Sequence, residues 1–286
     1  MSKRYVEIPG RGKVSLNNKL NNLSGKEWIK FTKSWFIHAP KRRNESEILH
    51  PAKFPESLVE EFILFFTKKG QWVLDPFLGT GSTLIAAGNT GRNALGIELL
   101  SKYHKIAKKR IAEGNFDTEL IALRGSSKKI KSLIFDTKPE LKFDYVITSP
   151  PYWNQLKQSG LRQKGRKEKG LDTVYSKHKS DLGNIDDYEL FLEKQAEIFD
   201  EVYDLTKEKG YLTIITNNVY FKGKLYPLAF DTAISLTKRG KRSWVLKDEK
   251  IWLQNDKPLI ALGINSAWVG NRHHQYCLIF RKEKNV

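Results

Sequence analysis

Two short segments hold residue types that could do chemistry. The first is Asp75-Pro76-Phe77-Leu78-Gly79-Thr80-Gly81-Ser82-Thr83, directly after the apolar triplet Trp72-Val73-Leu74. Glycines at the carboxyl end of a strand let the backbone approach a ligand and open a helix N-terminus toward it, so this segment predicts a small-molecule site. A dinucleotide fingerprint needs glycine where this chain has Leu84, and no Gly-Lys-Ser or Gly-Lys-Thr follows, so hydride transfer and P-loop chemistry both lack their glycines. Glu98 ends the next apolar run, where an acidic side chain accepts from the two hydroxyls of a ribose. The second segment is Thr148-Ser149-Pro150-Pro151-Tyr152-Trp153, after the apolar run Phe143 to Ile147. Two prolines fix an extended backbone and remove two donors, leaving carbonyls and the Ser149 hydroxyl facing outward beside an aromatic platform. That suits a planar ligand bearing an amino group, its ring on Tyr152 and its NH2 donating to Ser149 and the Pro150 carbonyl.

Alternating elements must position these segments. Pro55 starts a helix with Leu58, Phe62, Phe65 and Phe66 on one side and Gly70 at its end. Helices follow over Ser82 to Asn89 and Ser101 to Glu113, with strands at Ala94 to Glu98, Leu120 to Leu123 and Phe143 to Thr148. This βαβαββ order predicts a parallel sheet covered by helices. Between Trp153 and Gly183 the periodicity stops, and Lys157, Arg162, Lys164, Arg166, Lys167, Lys169, Lys177 and Lys179 face only Glu168, Asp172 and Asp181. This is a basic loop, 154–183. Asp186 and Glu189 then predict a helix start, with Phe191, Ile198, Phe199, Val202 and Leu205 on its apolar face and its end near Gly210. A strand at Tyr211 to Thr216, a helix at Leu225 to Leu236, and strands at Trp244 to Leu253 and Gln275 to Phe280 complete the order. The polar first residues read as an arm, 1–45, docked by Trp28, Phe31, Trp35 and Phe36 onto one domain, 46–286.

Composition narrows the partners. Against 32 Asp plus Glu stand 50 Lys plus Arg, a net charge of +18, which points to a polyanion, usually nucleic acid, with a highly charged surface as the bland alternative. Hydrophobic residues at 40% are enough for a core and exclude a disordered basic tail. No apolar run approaches the roughly 20 residues of a membrane span, and no secretory leader pattern is visible, so the expected location is cytoplasmic. The single cysteine, Cys277, cannot form an internal disulfide and reads as a small buried hydrophobe in a strand. His273 and His274 have no carboxylate or cysteine to complete a site, so no metal is expected.

Together, Asp75 to Thr83 and Ser149 to Tyr152 resemble the motifs of the S-adenosylmethionine-dependent amino-methyltransferases, which methylate N4 of cytosine or N6 of adenine in nucleic acids. The resemblance implies a single Rossmann-like class I methyltransferase domain: a mostly parallel seven-stranded sheet with an antiparallel last strand and helices on both faces. Its cofactor motif would bring Asp75, Pro76, Phe77, Gly79, Gly81, Ser82 and Thr83 to S-adenosyl-L-methionine. His50-Pro51-Ala52-Lys53-Phe54-Pro55 is similar to the segment that holds the methionine end, implying His50, Pro51 and Phe54. Gly96-Ile97-Glu98 matches the ribose position, and Asn271 to Lys282 is similar to the final strand. The family often has an aspartate near the end of the third strand to contact adenine; here Arg124-Gly125-Ser126-Ser127 leaves Ser126 in that place.

Ser149, Pro150, Pro151 and Tyr152 resemble the catalytic motif in its N4-cytosine form. The resemblance implies direct in-line attack of the exocyclic nitrogen on the sulfonium methyl, with Ser149 and the Pro150 carbonyl orienting the NH2 and no covalent nucleophile. C5 methylation, which uses a thiolate, is disfavoured by the lone Cys277. DNA is the implied substrate. Structured RNA such as rRNA, N6-adenine in DNA, and a non-catalytic nucleic-acid-binding role are the alternatives. The motif order leaves no obvious place for a separate target-recognition domain, so the basic loop, the arm and region 240–272 remain to choose the target.

Overall fold

A computed structural model describes residues 5–15, 18–38, 54–154, 180–264 and 267–283. Most of the basic loop, together with His50 and Pro51, lies outside the described residues. The central sheet begins with β4 (Trp72–Asp75), β5 (Asn93–Glu98), β6 (Leu120–Arg124) and β7 (Phe143–Thr148), which pair in parallel in the order β6-β5-β4-β7. It continues through β8 (Thr206–Thr216), parallel to β7, and β12 (His274–Arg281), antiparallel to β8. Next comes β11 (Val245–Leu253), antiparallel to β12 and therefore running with the parallel set.

The sheet has eight strands where seven are expected. The eighth is β3 (Trp35–Ile37), a piece of the arm that pairs in parallel with β11. Sequence patterning misses it because the strand is three residues long and partly exposed, too short to show alternation. The arm also contains a hairpin, β1 (Tyr5–Ile8) with β2 (Gly12–Ser15), and the helix α1 (Gly25–Phe31), opened by a capping box of Ser24 and Glu27. The expected aromatic docking is present for Trp28, Phe31 and Phe36, with Phe31 stacked on Phe65 at 4.0 Å and edge-on to Phe62 at 5.1 Å, whereas Trp35 is exposed because its edge strand turns it to solvent beneath Lys33. Lys250 of β11, 4% exposed, reinforces it by donating to the carbonyls of Phe31 and Lys33. Those bonds satisfy acceptors in and just beyond the last turn of α1, which has no intrahelical partners for them.

The helices follow from their apolar faces. In α2 (Glu56–Phe66), Leu58, Val59, Phe62, Ile63, Phe65 and Phe66 are buried, and the helix ends at Thr67, ahead of the expected Gly70. The helices α3 (Ser82–Asn89) and α4 (Ser101–Glu113) have the predicted bounds. Between β6 and β7 the structure adds α5 (Ile130–Thr137), turning the expected βαβαββ into a regular βαβαβαβ. Its buried contribution is only Ile130 and Ile134, one helical turn apart, too weak a stripe to stand out among lysines. The long helix α6 (Tyr188–Leu205) is capped by Asp187, whose carboxylate accepts from the Leu190 amide, and not by Asp186. Leu225 belongs to a small hairpin, β9 (Val219–Phe221) with β10 (Lys224–Tyr226), and α7 starts later, at Leu228–Thr237. Two apolar cores flank the sheet, one built on α6 with Phe191, Phe199 and Trp244, the other on α2 and α3.

Candidate active site

A cavity lies across the carboxyl ends of four adjacent parallel strands, where the strand order reverses between β4 and β7. Pro76, Phe77 and Gly79 follow β4, Glu98 to Leu100 end β5, Ser126 and Ser127 follow β6, and Ser149 and Pro151 follow β7. Ser180, Asp181 and Leu182, at the carboxyl end of the basic loop, line it as well. Open α/β sheets bind ligands at this position because the strand ends and helix N-termini converge there.

Glycine is required in the β4 turn. Gly79 has φ +58° and Gly81 φ +92°, left-handed values that favour glycine. A Cβ on Gly81 would also lie 3.0 Å from the Cβ of Ala107, so α3 can approach α4 this closely only through glycine. Glu98 holds the turn from the neighbouring strand: its Oε2 accepts from the Gly79 amide at 2.8 Å and its Oε1 from the Leu100 amide at 2.7 Å. Burial pushes the Glu98 carboxyl up to about 7, against the bonds from Leu100 and Gly79, and the charges of Asp75 and Asp181 add to the rise. The cavity thus has two carboxylates, Glu98 and Asp181, and no basic side chain among its described lining, in a chain of net charge +18.

Asp75 faces away from the cavity. It is fully buried, accepting from Thr83 Oγ1 at 2.5 Å, Thr148 Oγ1 at 2.6 Å and the Phe77 amide at 3.0 Å. Burial raises its pKa to about 6 despite those three bonds. Thr83 and Ser82 are buried in the first turn of α3; the Ser82 hydroxyl donates to Glu56. Phe54 sits in the α2 core. These residues brace the cavity from behind, whereas Pro76, Phe77, Gly79, Glu98, Ser126, Ser149 and Pro151 form its wall.

In the second segment, Ser149 Oγ lies 3.2 Å from Tyr152 Oη. The tyrosine ring is 6% exposed, a buried group and not the open platform expected from sequence, because it packs into the core beside α6. Its hydroxyl also reaches the Ile215 carbonyl at 3.4 Å and Gln275 Oε1 at 3.2 Å, and burial pushes its pKa up to about 12. Sequence reasoning missed Asp181 and Gln275. Gln275 had a signal: it is the polar residue on the strand face shared by Cys277 and Ile279. Cys277 is fully buried, and burial raises its thiol to about 12, so it stays protonated. Among the described residues no group of three or more metal-ligating side chains is found, and no helix is long and apolar enough to cross a membrane.

A sheet in the order 3-2-1-4-5-7-6, with its last strand reversed and a cavity across the first four strand ends, defines a Rossmann-like methyltransferase fold. The fold is shared with TrmN from Thermus thermophilus, 13% identical, with a TM-score of 0.51 over 83% of this chain and 52% of that one. Within that class the chain belongs to the DNA methylase family of N6 and N4 amino-methyltransferases, which matches residues 9–109 and 143–286. Type II methyltransferase M2.DpnII of Streptococcus pneumoniae is 46% identical over 66 residues, 23% of this chain and 25% of that protein. Type II methyltransferase M.BglI of Bacillus subtilis is 34% identical over 122 residues, 43% of this chain and 33% of that protein. The aligned stretches thus span a quarter to a third of these relatives' length. S-adenosyl-L-methionine is the family's methyl donor. The cavity fits it: Glu98 and Asp181 line it with no basic side chain among the described lining, which favours a sulfonium cation, and the glycine turn admits close approach.

Proposed function

We propose that the chain transfers a methyl group from S-adenosyl-L-methionine to the exocyclic N4 amino group of cytosine in DNA. The observation that carries this reading is that Ser149 lies on the wall of the donor cavity while its hydroxyl is hydrogen-bonded to Tyr152. The target-binding segment therefore opens directly onto the methyl source. The Ser-Pro-Pro-Tyr form of that segment supports cytosine over adenine.

Glu98 holds the donor ribose, Pro76 to Gly79 its methionine side, and Ser126 the edge of its adenine. When bound, the donor supplies an electrophilic methyl on a positively charged sulfur. The protein's part is orientation. Tyr152 has one proton, and Ile215 O and Gln275 Oε1, which can only accept, both lie within its reach. With that proton committed, Ser149 donates to Tyr152, and a Ser149 lone pair remains to accept one N–H of the target amine. A second N–H goes to the Pro150 carbonyl, which leaves the nitrogen lone pair out of ring conjugation and aimed along the line of attack. The basic loop 154–183 and the arm supply phosphate contacts.

Incubation with labelled donor and genomic DNA, followed by nucleoside mass spectrometry, should yield N4-methylcytosine. N6-methyladenine in its place would move the target to adenine, label only in rRNA would move the substrate to RNA, and no label in any nucleic acid would refute the reading.

A pH dependence follows from Glu98. Its carboxylate must be ionised to accept from both ribose hydroxyls, and its pKa stands at about 7 in the free protein. Donor affinity should therefore be flat above about pH 8 and fall below pH 7, approaching tenfold per pH unit. Calorimetric titration from pH 5.5 to 8.5 checks this, and Glu98→Gln should bind more weakly with the slope abolished.

A further inference from the structure

The described residues 254–264 and 267–273 lie between β11 and β12, and because β11 runs with the parallel set, the chain leaves β11 at the same end of the sheet as the donor cavity. Their end is tied to the catalytic segment through Gln275 and Tyr152. The projection is braced internally. Asn271 donates to the Ile260 carbonyl at 2.8 Å and accepts from the Ile260 amide at 3.0 Å, clamping one leg to the other. Near the tip, the Ala267 amide donates to the Gly263 carbonyl at 3.0 Å. Gly263 has φ +62°, and a Cβ there would lie 1.9 Å from the Ala267 oxygen.

This bracing holds large apolar groups out in water: Leu259 is 81% exposed, Ile264 70% and Trp268 91%. Three large apolar groups held exposed on one braced loop mark an interaction surface. The charges around it favour a polyanion. Lys257 and Arg272 stand on the two legs against the single acid Asp256, and exposed Lys222 and Lys224 occupy the neighbouring β9–β10 hairpin. The Arg272 guanidinium, 5.4 Å from the centre of the Tyr220 ring, links projection and hairpin.

We infer that Leu259, Ile264 and Trp268 form a wedge that enters the base stack of duplex DNA beside the target base. A base inside a duplex cannot reach Ser149 and must leave its stack, and apolar side chains inserted at a step both unstack it and fill the gap. The basic groups on the legs and hairpin hold the phosphates on either side. This inference rests on the proposed amino-methyltransferase activity on DNA.

The test is methyl transfer into sheared genomic DNA, double-stranded or heat-denatured, by the full chain and its Trp268→Ala variant. Trp268 is 91% exposed, so the variant should keep the wild-type thermal midpoint, which is measured alongside. Denatured DNA has already met the cost of unstacking, so the variant should lose about tenfold on duplex and less than about threefold on denatured DNA. Asn271→Ala, which unpins the legs and keeps the tip, should shift the ratio the same way. Equal losses on both substrates, or no loss on either, would overturn the wedge. So would a wild-type dimer that dissociates in Trp268→Ala, because the surface would then belong to a second copy. A wild type inactive on both substrates would instead overturn the functional reading on which the wedge rests.

Discussion

Ser149→Ala should lower methyl transfer by about two to three orders of magnitude, the range seen when one preorganised polar contact to a reacting group is removed, and leave donor affinity within about threefold. The expectation follows from where the hydroxyl sits. Ser149 follows β7, whereas Glu98 ends β5 and Pro76 and Gly79 follow β4, so the proposed donor contacts are carried by other strand ends and are kept. The target amine loses the acceptor that holds its lone pair out of conjugation. Tyr152→Phe offers a graded comparison. Without the tyrosine oxygen, the Ser149 proton is released from its 3.2 Å partner and one lone pair is no longer reserved for substrate. Its loss should be about tenfold, in kcat and not in donor binding. Single-turnover rates with calorimetric donor titration check both variants. A Ser149→Ala enzyme within tenfold of wild type would place the orienting group elsewhere.

The parts of this site that could be read in the sequence are those whose function constrains the backbone. Gly79 and Gly81 show in the sequence because left-handed turns need them, and Pro150 and Pro151 because they fix an extended chain. Glu98 shows because it ends a strand. The helical spacing of Tyr103, Ile106, Ala107 and Ile111 and the short apolar run from Phe143 likewise placed α4 and β7 at their observed bounds. What stayed hidden depends on distant contacts. No local pattern says that Trp35 to Ile37 will add an eighth strand beside β11, since that pairing joins residues far apart in the chain. Nor does the sequence say that Asp181 will return to the wall of the cavity, or that Gln275 will reach Tyr152 from the far end of the chain. The Tyr152 ring shows the same limit. Its neighbours in sequence suggest an exposed platform, whereas packing near α6 buries it and makes it a brace for Ser149.

Asp75→Ala should destabilise the fold by about 3–5 kcal/mol, lowering the thermal midpoint by about 10 °C, and should abolish measurable donor binding at micromolar concentrations. Asp75 connects the two functional segments: Thr83 opens α3 beside the glycine turn, and Thr148 is the residue immediately before Ser149. Alanine leaves two buried hydroxyls and the Phe77 amide without their acceptor, each costing about 1–3 kcal/mol with incomplete additivity. Asp75→Asn separates shape from charge, because it keeps an acceptor for Thr148 and Phe77 and should cost less. Charge then appears in the pH dependence. The folded-state pKa of about 6 lies above the ordinary value of 3.8, so the folded chain holds the proton more tightly than the unfolded one. The stability this contributes is fully present below the ordinary value and is lost as pH rises through about 6. Relative to Asp75→Asn, the wild type should therefore lose stability between pH 4 and pH 7, with little further change to pH 8. Denaturant unfolding of both proteins across that range measures the difference directly. A wild-type advantage that grows with pH would mean that the three hydrogen bonds outweigh burial and that the ionised carboxylate is the stabilising form.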